Sequence, residues 1–122
     1  MSTGSQVLTG MVALLHLCFL VLEMFLWATP FGAKTFKRTL QQQVDSKVLA
    51  ANQGLYNGFL AAGLAWATFA GAPFGHALKL FFLGCVVVAG VYGAATAASR
   101  AILFFQALPG ALALAVTLLA GG

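Results

Sequence analysis

The chain has 122 residues, 61% of them hydrophobic and only 7% charged, too few charges to clothe a water-soluble domain, which is roughly a quarter charged. Its formal charge of +4 rests on six Lys and Arg; these gather at the borders of apolar runs instead of forming a patch, which excludes a nucleic-acid surface. Four apolar runs of about 20 residues consume nearly the whole length, so the sequence predicts one all-α domain over residues 1–122, an integral membrane four-helix bundle whose main partner is the lipid bilayer.

The first span is expected over residues 7–29. The run is too long for a signal-peptide core and lacks a small-residue cleavage pattern, so it reads as a retained helix. Pro30 and Gly32 stop it, and Trp27 lies where an interfacial aromatic belongs. From Pro30 to Ser46 the chain turns polar, with Lys34, Lys37, Arg38, Gln41, Gln42, Gln43 and Asp45. Phe31, Phe36, Leu40 and Val44 recur near helical spacing, which fits either a short amphipathic segment on the membrane surface or an irregular polar loop. Asp45 or Ser46 is the expected N-cap of the second span, 47–70. Gly71, Pro73 and Gly75 mark a tight turn in which His76 should be solvated. The third span is expected over 77–97 and the fourth over 101–119.

Cys18 and Cys85 each stand alone in an apolar stretch, without a CxxC pattern, and read as small packing residues. With no HxxxH motif or partner carboxylate set, no metal site is predicted. No Gly-rich loop with Lys and Ser or Thr points to phosphate chemistry.

Loop charge sets the orientation. The first loop carries Lys34, Lys37 and Arg38 with Lys47 at its edge, the third carries Arg100, and the N-terminus carries none. By the positive-inside rule the first and third loops face the cytoplasm. The chain is then a multi-pass protein of the cell inner (cytoplasmic) membrane with both termini non-cytoplasmic. Lys79, bordering the second loop, is the dissenting cation.

Although the helices alternate in direction, most strongly polar intramembrane residues fall near the cytoplasmic ends of their spans. Glu23 lies near the end of the first, Asn52, Gln53, Tyr56 and Asn57 in the opening third of the second, Tyr92 near the end of the third, and Gln106 near the start of the fourth. At about 1.5 Å rise per residue they share a level roughly 6 to 15 Å below the boundary. His16, seven residues before Glu23, shares its helix face. The four polar residues of the second helix cover about 140° and form a wall. Gly54, Gly58 and Ala62 beside it make a small-xxx-small stripe, suited to close packing within the chain or to a homo-oligomer. Gln106 precedes Pro109, which leaves the carbonyl of Phe105 without its helical donor.

The segments LEMFLW (Leu22 to Trp27), LAANQGLYNGFLAAG (Leu49 to Gly63), FFLGCVVVAGVYGA (Phe81 to Ala94) and QALPGALAL (Gln106 to Leu114) resemble the bacterial membrane proteins catalogued as domain of unknown function 1304, over nearly the whole chain. The resemblance implies a small four-helix membrane protein and supplies no catalytic residues. A more distant likeness, in size, helix count and the residues around Asn57-Gly58, is to the small membrane isomerases typified by styrene oxide isomerase. That likeness implies heme and an oligomer. Here, however, the second helix has Asn52 and Gln53 where an imidazole ligand would be sought, and the intramembrane His16 is on the first.

Three functions stay open, and with them whether the chain is an enzyme. One is a protein that binds or converts a small lipophilic molecule, with Glu23 and His16 as catalytic groups and Asn52, Gln53, Tyr56, Asn57, Tyr92 and Gln106 as ligand-binding ones. A carboxylate in hydrocarbon costs at least a few kcal/mol and is retained for a partner, a proton or a ligand. The second is a proton-coupled exporter, which transport with proton release would reveal. The third is an accessory subunit in which the polar cluster is interhelical glue.

Overall fold

The structure, a computed structural model, describes residues 2–96, 101 and 103–121. The expected loop cation Arg100 and the C-terminal Gly122 lie outside the described residues. The architecture is all-α, with no strand among the described residues. Helix α1 (Thr3–Val21) runs directly into a π-helical turn, Leu22–Leu26, so that Thr3–Leu26 is one continuous apolar rod. Next come α2 (Pro30–Phe36), α3 (Leu40–Asp45), α4 (Lys47–Phe69), α5 (Phe74–Thr96), a second π-helical turn at Leu103–Ala107, and α6 (Leu108–Leu119).

Two of these helices, Thr3–Leu26 and Phe74–Thr96, are long and apolar enough to cross a membrane. The apolar segment Phe104–Leu119 is shorter, and α4 carries Lys47, Asn52, Gln53, Tyr56 and Asn57 in its first half. The first helix starts before the expected residue 7, because Thr3 to Gln6 extend the same hydrogen-bonded ladder.

The polar stretch between the first two long helices is itself helical. Pro30 supplies a preset φ at the start of α2, and the Thr29 hydroxyl accepts from the Gly32 amide at 3.2 Å, an N-cap that satisfies an otherwise orphan donor. Lys37, at φ 54°, ends α2 in the left-handed region, and the Arg38 amide closes on the Ala33 carbonyl at 2.9 Å, as in a Schellman ending. Thr39 and Gln42 then cap α3 reciprocally. The exposed side chains of Phe31, Phe36, Leu40 and Val44 accord with the amphipathic alternative for this segment. The expected cap of α4 is not formed by Asp45 or Ser46. Asp45 accepts from the Gln41 amide at 2.8 Å, and the Ser46 hydroxyl turns back to the Gln42 carbonyl at 2.7 Å.

By compactness the chain divides into two units, residues 16–59 and residues 1–15 with 60–122. The second has a core of Val12, Leu64, Leu83, Val86 and Ala113, with Leu8, Ala13, Phe82 and Leu114 against it. In it α5 packs along α6 and the π-helical turn before it. Gly90 permits that approach, since a Cβ there would lie 2.6 Å from the Ala107 amide nitrogen, closer than real Cβ atoms come. In the unit of residues 16–59, the end of the first helix packs on the start of α4. A Cβ at Gly54 would meet Met24 Cγ at 2.7 Å and the Leu20 carbonyl oxygen at 3.2 Å, and one at Gly58 would meet Leu20 Cδ1 at 2.6 Å. The Gly54–Gly58 stretch of the stripe thus serves packing within the chain. Cys18 is exposed and Cys85 half-buried.

Candidate functional site

The close approach at Gly54 and Gly58 brings one member of the polar wall to the carboxyl. Asn57, on the same face of α4, is 7% exposed, and its amide donates to Glu23 Oε1. Glu23 is held in the π-helical turn Leu22–Leu26. Such turns are rare single-turn insertions in helices, frequent at functional sites because they re-aim side chains and loosen the regular ladder. Gln106 also lies in such a turn, Leu103–Ala107, just before Pro109.

Beside this pair is a cavity of about 450 Å³, large enough for a small organic molecule. Its wall comes from the end of the first helix (Glu23, Met24, Phe25, Trp27 to Thr29) and the start of α4 (Lys47, Val48, Ala51, Asn52, Leu55). The lining is mainly apolar, with the half-buried Glu23 and the exposed Asn52 and Lys47 among its polar groups. The Asn52 amide nitrogen donates to its own helix, at the Val48 carbonyl, 3.1 Å away.

Trp27 is fixed at the cavity by groups from the short helices. Its Nε1 donates to Ser46 Oγ at 3.0 Å, and its carbonyl accepts from Gln43 Nε2 at 3.0 Å. Its ring packs on Phe36 with centroids 4.7 Å apart, while the Arg38 guanidinium lies 5.8 Å from the ring. Gln43, read in the sequence only as part of a polar run, is fully buried. The signal available for it was its place at the fourth position after the N-cap Thr39.

The remaining sequence-predicted residues are placed as follows. Gln53 and Tyr56 are exposed and outside the cavity lining, with the Tyr56 ring 6.1 Å from that of Phe59. His16 is fully buried, edge-on to Phe19 at 5.2 Å, and does not line the cavity. Tyr92, on α5, is 70% exposed, and Gln106 is half-buried; both belong to the other unit. His76 is half-buried, with Nδ1 enclosed and without a hydrogen-bond partner, in place of the expected solvation.

A second polar group escaped the sequence reading. Lys79 is fully buried within the unit of residues 1–15 and 60–122. Its Nζ donates to Ser5 Oγ at 3.0 Å, and Ser5 Oγ pairs with Thr117 Oγ1 at 2.7 Å. Three helices, α1, α5 and α6, are tied by this chain of bonds. Thr9, one turn after Ser5, is also fully buried, its hydroxyl unpartnered.

Heme, implied by the distant likeness, does not fit these residues. The enclosed His16 presents no open imidazole, and neither this cavity nor the apolar one of about 300 Å³ bounded by Leu8, Met11, Val12, Leu15, Leu108, Pro109 and Leu112 is lined by His or Cys. No group of three or more metal-ligating side chains occurs among the described residues. No curated protein and no solved structure matches the chain. The model of the family described as "Protein of unknown function (DUF1304)" does match it, over residues 10–118, and the chain therefore belongs to that family.

Proposed function

We propose that the protein is a four-span bundle of the inner membrane which binds, or converts, a small lipophilic molecule in a pocket beside Glu23. One observation carries this reading: the cavity of about 450 Å³ is apolar over most of its wall yet contains a carboxyl and an amide, Glu23 and Asn52. Interhelical glue needs a bonded pair such as Glu23–Asn57 but no empty space beside it. A largely apolar pocket with a few convergent polar groups is the usual form of a small-molecule site. Glu23 anchors the ligand's polar end, and the π-helical turn holds the carboxyl toward α4.

The orientation we propose keeps residues 34–46 in the cytoplasm and both termini outside. In support, the dissenting cation Lys79 is enclosed by protein and bonded to Ser5, so it does not act as a loop charge. The pocket then opens near the cytoplasmic border, where Trp27, Thr29 and Lys47 lie.

Ala51→Trp tests the site by filling the cavity from a half-buried wall position. Extracts of the purified wild type and variant are compared by mass spectrometry. A lipophilic compound retained by the wild type and absent from the variant supports the reading; identical extracts overturn it.

A further inference from the structure

Resting on that reading, we propose that the pocket selects lipophilic amines, molecules with an apolar body and an N–H-bearing cationic end. The argument is an inventory of hydrogen-bonding capacity. Glu23 Oε1 accepts from Asn57, while its second oxygen makes no hydrogen bond among the described residues. Asn52 spends an N–H on the Val48 carbonyl, which leaves its side-chain oxygen with both lone pairs. Two other polar side chains of the wall are engaged: Trp27 donates to Ser46, and the Thr29 hydroxyl donates to the Leu26 carbonyl at 2.6 Å while accepting from Gly32.

Glu23 and Asn52 thus offer oxygen acceptors, one of them a carboxyl, to a ligand that must bring donors. An ammonium brings up to three N–H donors and a charge opposite to that of the carboxylate, giving a charge-assisted hydrogen bond. An alcohol brings one donor and no charge. A carboxylate brings neither, and its charge opposes that of Glu23. Phe25 adds an aromatic ring to the same wall, a group that attracts cations through its quadrupole. Lys47, in the first turn of α4, also lines the pocket but is exposed, so its ammonium is hydrated.

The test uses the full chain in phosphatidylcholine nanodiscs and three probes of one shape: 4-phenylbutylamine, 4-phenylbutanol and 4-phenylbutanoate. The chain has two tryptophans; Trp66→Phe leaves Trp27, in the cavity wall, as the fluorescent reporter. The amine is expected to shift Trp27 emission saturably, with a Kd about tenfold below those of the alcohol and the carboxylate. Glu23→Gln should raise the Kd of the amine about tenfold while leaving that of the alcohol unchanged. Asn52→Leu, at an exposed position that leaves the packing face of α4 intact, should weaken the amine several-fold without affecting the alcohol.

Equal binding of amine and alcohol, preference for the carboxylate, or a Glu23→Gln variant that binds the amine like the wild type overturns amine selectivity and leaves the pocket reading standing. Absence of saturable binding by all three probes overturns both.

Discussion

Gly54 is the position where helix contact and the candidate site meet, and its replacement by Ala has a calculable outcome. In a helix interior, Gly→Ala on its own is worth about 1 kcal/mol in favour of the folded state. At Gly54 the new Cβ would lie 2.7 Å from Met24 Cγ, 3.1 Å from Glu23 Cβ and 3.2 Å from the Leu20 carbonyl oxygen. Met24 can swing aside, but the last two atoms belong to the helix backbone or its first side-chain atom and move only if the helices separate. Overpacking of this kind costs roughly 1–3 kcal/mol, so the net effect should be a destabilisation between about zero and 2 kcal/mol. Gly84 on α5 is the internal control, since a Cβ there meets nothing within 4 Å, and Gly84→Ala should stabilise by up to about 1 kcal/mol. The two variants should therefore differ by about 2 kcal/mol in sodium dodecyl sulfate unfolding titrations followed by circular dichroism. Gly54→Ala should also separate Glu23 from Asn57. If Gly54→Ala proves as stable as Gly84→Ala, the close approach that builds the site is refuted.

Two further outcomes follow from the other polar groups. Ser5→Ala leaves both Lys79 Nζ and Thr117 Oγ1 short of a buried partner and should cost about 1–3 kcal/mol. In a cycle with Lys79→Met the two losses should be strongly non-additive, and simple additivity would show that the bond between them carries no stability. Reporter fusions should place residues 34–46 in the cytoplasm and Gly122 outside it; a cytoplasmic C-terminus would overturn the proposed orientation and assign the pocket to the other leaflet.

The sequence by itself determined the helical class, because long uncharged runs of apolar residues leave a helix as the structure that pairs every backbone group internally. It also placed Glu23 and Asn57 at one depth, since that follows from counting residues along two helices. Helical phase alone did not say which of the four polar residues on α4 meets Glu23. The tertiary structure decided this through Gly54 and Gly58, whose missing side chains let Leu20, Glu23 and Met24 approach that face and take Asn57, leaving Gln53 and Tyr56 exposed. The π-helical turn at Leu22–Leu26 was equally hidden, because a one-residue change of hydrogen-bond register has no periodicity signature in so short a segment. Lys79 shows the limit most sharply. Near the start of a helix a lysine reads as a border charge, and nothing local distinguishes it from one in solvent. Its ammonium donates to Ser5, 74 residues before it, and Ser5 in turn pairs with Thr117 on the last helix, a chain of bonds that only packing assembles. A buried cation keeps its place only when hydrogen-bonded, and those partners exist only once α1, α5 and α6 have come together.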